Sequence, residues 1–116
     1  MSDRYRLALE AITRVQGIRG AMIVAAADGV VVAESLMEDL QGQAVAALTA
    51  SLASRLGRVT EAAGRGAPAF IHAQASNGAI LIAPGGPELL IVVVAERNVN
   101  AGLARLEMFR ASERIA

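Results

Sequence analysis

The sequence predicts an α+β sandwich in the order α-β-β-α-β-β-β-α, a five-stranded antiparallel, meander-like sheet with helices on both faces. Three observations lead there. Two apolar runs, AMIVAA and VVVAES, meet at Asp28-Gly29, a dipeptide that favours hairpin corners. Three further runs, AFIHAQA, AILIA and ELLIVVVA, follow one another with only turn residues between them. A proline-free, Ala- and Leu-rich stretch of helical composition separates the two groups.

Taken in order, Ser2 or Asp3 can cap a first helix that runs to about Gln16. Ala8, Leu9, Ile12 and Val15 form its apolar stripe, Arg6, Glu10 and Arg14 an outward row, and Gly17 a C-cap. Asp28-Gly29 then suggests a type I′ turn, whose two central residues need positive φ. Neither flanking strand alternates cleanly, so both faces of the sheet are expected to be covered. The second helix is expected over Asp39 to Ala63, with Val45, Leu48, Leu52, Leu56, Val59 and Ala63 as its buried stripe. Its opposite side carries Gln43, Ala47, Ala50, Ser54, Gly57, Arg58 and Glu61, small and uncharged in the first half. After the GRGAP loop, Ser76-Asn77-Gly78 and PGGP connect the last three strands. A final helix capped by Asn98 or Asn100 runs to about Glu113 with Val99, Leu103, Leu106 and Phe109 inward.

The 116 residues are read as one domain, 1–116. Aromatics are 3% of the chain, so the core must be built from aliphatic side chains and Met. Eleven arginines balance eleven acids, and this absence of basic excess argues against nucleic acid as a partner. The chain has no Lys and no Cys, which removes Schiff-base, P-loop-lysine and thiol chemistry along with disulfides and zinc-thiolate sites. The charged start MSDRYRLALE is no signal peptide, and LLIVVVA is far short of the ~20 residues that span a bilayer. The expectation is a cytoplasmic protein with no membrane insertion.

No residue pattern assembles an active site. Asp28, alone in its apolar run, has no local base, acid or metal partner and reads as a turn residue. His72 is the single histidine, with no other ligand at metal-binding spacing, so no metal and no cofactor are expected. No nucleophile-elbow pattern accompanies it. The glycines of GRG and APGGPE match no phosphate loop. What stands out is the small-residue side of the second helix, which suits close approach of a partner, and the AFIHAQA strand, an edge that could pair with a second copy.

The pattern V-x-G-I-x-G-A-x-I-V at the first strand, the hairpin DG-x-V-x-A, the segment GAILIAP and the N-x-G-L-A-R start of the last helix resemble the Roadblock/dynein light chain family. Their order and spacing run across nearly the whole chain. Prokaryotic members regulate Ras-like GTPases. The resemblance implies the same element order, a profilin-like layout, and a homodimer in which the third strands pair and the second helices lie side by side. Carried over by position, the pairing strand is Ala69, Phe70, Ile71, His72, Ala73, Gln74 and Ala75. The platform meeting a small Ras-like GTPase is Ala47, Ala50, Ser54, Gly57 and Arg58. The implied role is regulatory, GTPase-activating or scaffolding, in a protein that is not itself an enzyme. The alternative is a non-catalytic adaptor docking a motor or signalling complex.

Overall fold

The computed structural model describes residues 3–116. The elements are α1 (Asp3–Thr13), β1 (Ile18–Ala25), β2 (Val31–Leu36), α2 (Gly42–Ala62), β3 (Ile71–Ala75), β4 (Gly78–Pro84), β5 (Leu89–Ala95) and α3 (Ala101–Ile115). This is the α+β order expected, and every strand pair is antiparallel. The lateral order is β2-β1-β5-β4-β3, so the sheet is not a single meander. After β2 the chain leaves the sheet through α2 and re-enters at the far edge, and β5 then closes the gap beside β1. The most apolar strand, β5, thereby lies at the centre between β1 and β4, where both faces are covered.

One face of the sheet carries α1 and α3. Leu9 and Ile12 of α1, Ile23 of β1, Leu81 of β4, Ile91 and Val93 of β5 and Met108 of α3 make this main core. The α1 stripe Ala8, Leu9, Ile12 and Val15 is buried as expected, and Arg6 meets Glu10 at 2.9 Å on the outer side. The helix stops at Thr13, whose hydroxyl donates back to the Leu9 carbonyl at 2.9 Å, earlier than the Gln16 end expected. Ser2, the alternative cap, lies outside the described residues. Asn100 caps α3, its side chain accepting from Leu103 N–H at 3.0 Å. The inward face of α3 is Ala104, Met108, Ala111 and Ile115, which corrects the expected stripe: Leu103 and Leu106 point outward. Alanines at two of these positions let α3 approach α1 closely, and that contact outweighs the larger transfer energy of the leucines.

The other face carries α2 alone, over Met22, Val24 and Val92. The first hairpin closes where expected, but not through a type I′ turn. Gly29 N–H donates to Ala25 C=O and Ala25 N–H to Val30 C=O, both at 2.9 Å, around a four-residue loop, Ala26 to Gly29. Among the described residues no non-glycine residue has positive φ, and only Gly29, at φ +75°, turns the corner. The Asp28 carboxylate accepts from Val30 N–H at 3.1 Å, the turn role expected of it. α2 packs directly on this corner: a Cβ at Gly29 would lie 2.7 Å from the Cα of Ala47. Beyond the loop, β2 carries an extra residue, Val32, between the pairs Ile23↔Ala33 and Val24↔Val31, a bulge on the outer strand.

Gly64 shares the positive φ of Gly29, at +73°, but an added Cβ there meets nothing within 4 Å. Gly64→Ala is therefore expected to cost only the left-handed backbone penalty, about 1–2 kcal/mol. Gly29→Ala adds a backbone clash and is expected to cost a further 1–3 kcal/mol or so. Urea denaturation of both variants checks the difference.

Candidate functional site

The surface of α2 is set by which residues it buries. Ala46, Thr49 and Ala50 face the sheet, a small stripe at i, i+3 and i+4. Thr49 loses nothing by burial, because its hydroxyl donates to Val45 C=O at 2.6 Å. The expected buried stripe is corrected accordingly. Leu48 is 71% exposed and Val59 61%, with Leu52 also exposed and Leu56 half-buried. Only small side chains fit where the helix backbone passes the Gly29 corner and the β1 surface, so the large aliphatics are rotated to one flank. No residue of α2 beyond Ala50 is buried. On the same face of the sheet, Ile71 and Ile80 are only half-buried and Ala73 is exposed. The Leu48–Val59 flank is thus exposed, and the face of the sheet that carries α2 is left partly uncovered at β3 and β4.

The opposite flank of α2 borders a groove. Ala26 N–H donates to Glu88 C=O at 2.9 Å, which ties the β1–β2 loop to the β4–β5 loop. Between these loops and α2 lies a cleft of about 650 Å³ lined by Ala26, Asp28, Ala53, Ser54, Pro87 and Leu90 among others. It continues into a second hollow of about 430 Å³ with Ala47, Ser51, Arg55 and Arg58. Of the platform residues expected from sequence, Ala47, Ala50, Ser54 and Arg58 therefore share one flank. Ala50 forms its floor at 6% exposure and offers no projecting side chain, a correction to its expected place on an outward platform. Gly57 is not in the groove; it faces the Pro68 ring, 4.0 Å from where a Cβ would stand. Sequence reasoning missed Leu48, Leu52 and Val59 as surface residues and Ala26–Asp28 as groove residues. The signal for the first was available in the Ala46, Thr49, Ala50, Ala53 spacing.

The expected pairing strand is shorter than its sequence suggests. Ala69 and Phe70 precede β3, which begins at Ile71. Phe70 is held away by α3: its ring meets Phe109 edge-on at 6.1 Å, and Arg105 lies over both rings at 4.9 and 5.2 Å. Ile71, His72, Ala73, Gln74 and Ala75 pair with β4 on one side only, and the other edge of β3 is open. His72 is exposed, its Nε2 3.2 Å from Gln74 Oε1. Among the described residues no three His, Asp or Glu gather as a metal site, and no helix is long and apolar enough to cross a membrane.

Comparison with known proteins adds the family. The model of the Roadblock/LC7 domain matches residues 5–95. Two uncharacterised proteins of Methanocaldococcus jannaschii, MJ1340 and MJ0310, are 31% and 30% identical over 99% of this chain and 96% of theirs. Among solved structures, a Roadblock/LC7 domain from Streptomyces avermitilis superposes with a TM-score of 0.85 at 17% identity, over 94% of this chain and 92% of that one. The gliding protein MglB from Thermus thermophilus superposes at 0.87 and 23% identity, over 98% and 87%. Myxococcus xanthus MglB superposes at 0.88 and 16%, over 97% and 92%.

Placing Ala50 on the floor and Ser54 on the rim separates their substitutions. Ala50→Arg is expected to destabilise the fold by about 3 kcal/mol or more, by overpacking and burial of charge. Ser54→Arg is expected to stay within about 0.5 kcal/mol of the wild type. Thermal or urea unfolding at one fixed protein concentration distinguishes them.

Proposed function

Because the chain belongs to the Roadblock/LC7 domain family, we propose that it is a homodimeric regulatory module that binds a small Ras-like GTPase and modulates its activity. The observation that carries the dimer is the apolar flank of α2. Leu48, Leu52 and Val59 make an exposed apolar row on α2, and Ile71 and Ile80 on the same face of the sheet are only half-covered, more apolar surface than a face that ends at solvent carries. A second α2, lying alongside across a two-fold axis, covers both with the same residues. The open edge of β3 supports the same arrangement. It has no formal charge, no proline and no bulge, the usual devices that keep an edge from pairing. Two such strands joined edge to edge make one ten-stranded sheet.

In that dimer the groove flank of α2, with Ala47, Ser54 and Arg58 at its rim, is directed away from the two-fold seam. This is the surface offered to the GTPase. The groove contributes position rather than reacting groups, so stimulation of hydrolysis would come from ordering the GTPase's own switch segments. This reading gives the protein no active site of its own.

Leu48→Arg combined with Leu52→Arg is expected to weaken self-association by roughly 100-fold, from the loss of two buried leucines. Sedimentation equilibrium reads this, with circular dichroism to confirm the fold; an unchanged dimer would remove the flank from the interface. For the groove, Ser54→Arg with Arg58→Glu is expected to weaken binding of a Ras-like GTPase from the same cell at least ~10-fold. Dimerisation should be untouched. Titrations against the GTP- and GDP-loaded forms, with turnover followed in parallel, check this. Equal binding of both forms without effect on turnover points to the adaptor reading.

A further inference from the structure

The face of the sheet opposite α2 carries a second groove that the GTPase reading does not use. α1 and α3 run antiparallel: Leu7 and Arg4 lie near Arg114, whereas Arg14 and Val15 lie near Leu103 and Glu107. The furrow along their seam consists of two hollows of about 420 and 380 Å³ that share Ala11, Arg14 and Arg114. Its floor is apolar, with Leu7 at 49% and Leu103 at 43% exposure on either bank. Its rim is predominantly basic. Arg4, Arg14, Arg110 and Arg114 line it against a single acid, Glu107, which is already bonded to Arg110 at 2.9 Å.

Two arginines elsewhere are each held by two carboxylates, while Arg55, Arg58, Arg65, Arg97 and Arg105 share with the furrow the lack of an ion pair among the described residues. Arg6 has Asp3 and Glu10, and Arg19 has Asp39 and Glu96. Among the described residues no carboxylate stands at ion-pair distance from Arg4, Arg14 or Arg114. Three guanidinium groups without a carboxylate partner, Arg4 lying 5.5 Å over the Tyr5 ring, raise the local potential beside the apolar floor, and an anionic occupant lowers it.

We propose that the α1–α3 furrow docks an acidic amphipathic helix of a partner protein, with the helix's aliphatic residues on Leu7, Ala11 and Leu103 and its carboxylates on Arg4, Arg14 and Arg114. A helix is favoured over an extended segment because the furrow has no free sheet edge to satisfy a strand's backbone. From Arg4 to Val15 the furrow is about 16 Å long, three helical turns. The inference is independent of the GTPase reading, since it concerns the other face of the sheet. A protein with both surfaces would join its α2 partner to an acidic segment of another.

The test is fluorescence anisotropy with a blocked peptide of about fifteen residues, Leu at i, i+3, i+4 and i+7 spacing and Glu elsewhere. The same peptide with Lys for Glu is the control, and vesicles containing phosphatidylglycerol are the competing anionic surface. The Glu peptide is expected to bind saturably, with Kd in the tens of micromolar or so. Arg14→Glu combined with Arg114→Glu is expected to weaken it at least ~10-fold, and Leu103→Ser about 3-fold or more, with the Lys peptide not binding. Amide shifts of labelled protein should map to α1 and α3. Equal affinity for the Arg14→Glu/Arg114→Glu protein, shifts confined to α2, or binding to vesicles but not to the peptide would each overturn the proposal.

Discussion

The close approach of α2 to the sheet is the constraint on which the rest of the surface depends. Its backbone passes so near the Gly29 corner that only Ala46, Thr49 and Ala50 can face inward. Once those small residues take the buried side, rotation at 3.6 residues per turn leaves no freedom for the others. The leucines and Val59 must occupy one flank, and Ser54 and Arg58 the other. The surface chemistry of α2 thus follows from a contact between an alanine helix and a glycine turn.

The two faces of the sheet divide the work between them. The α1–α3 face holds Leu9, Ile12, Ile23, Leu81, Ile91, Val93 and Met108, most of the large buried side chains. The α2 face contributes a smaller cluster of Met22, Val24, Ala46 and Val92. Hydrophobic burial is roughly proportional to area, so the first face supplies most of the stability and the second is freer to serve as surface. Beyond Ala50, α2 has no buried anchor at all, which places its second half among the segments that open at lowest cost in the isolated chain. Covering that half is the physical gain available to any partner.

Much of this was legible in the chain before any coordinates. The element order, the inward face of α1, the hairpin at Asp28-Gly29 and the Asn100 cap all rest on local rules of spacing and hydrogen bonding. What local rules missed was long-range. β5 beside β1 cannot be read from strand order, because adjacency there is decided by where α2 delivers the chain. The inward faces of α2 and α3 were misread for one reason: ranking side chains by apolarity assumes a roomy interface, whereas these helices sit close enough that Ala46, Ala50, Ala104 and Ala111 fit better than leucine. Phe70 was placed in the strand as part of the run AFIHAQA, but its pairing with Phe109 and Arg105 draws it onto α3.

The extra residue at Val32 has a consequence for how far assembly can proceed. A flat, evenly hydrogen-bonded edge such as β3 presents a template for another strand, whereas the bulge on β2 twists that edge and puts its donors and acceptors out of step. The sheet is therefore sided, with one growing end and one capped end. Joining two molecules through their growing ends uses up both and leaves capped ends outermost. A pair joined through β3 would therefore present only bulged β2 edges outward, neither of them an even template for a further strand.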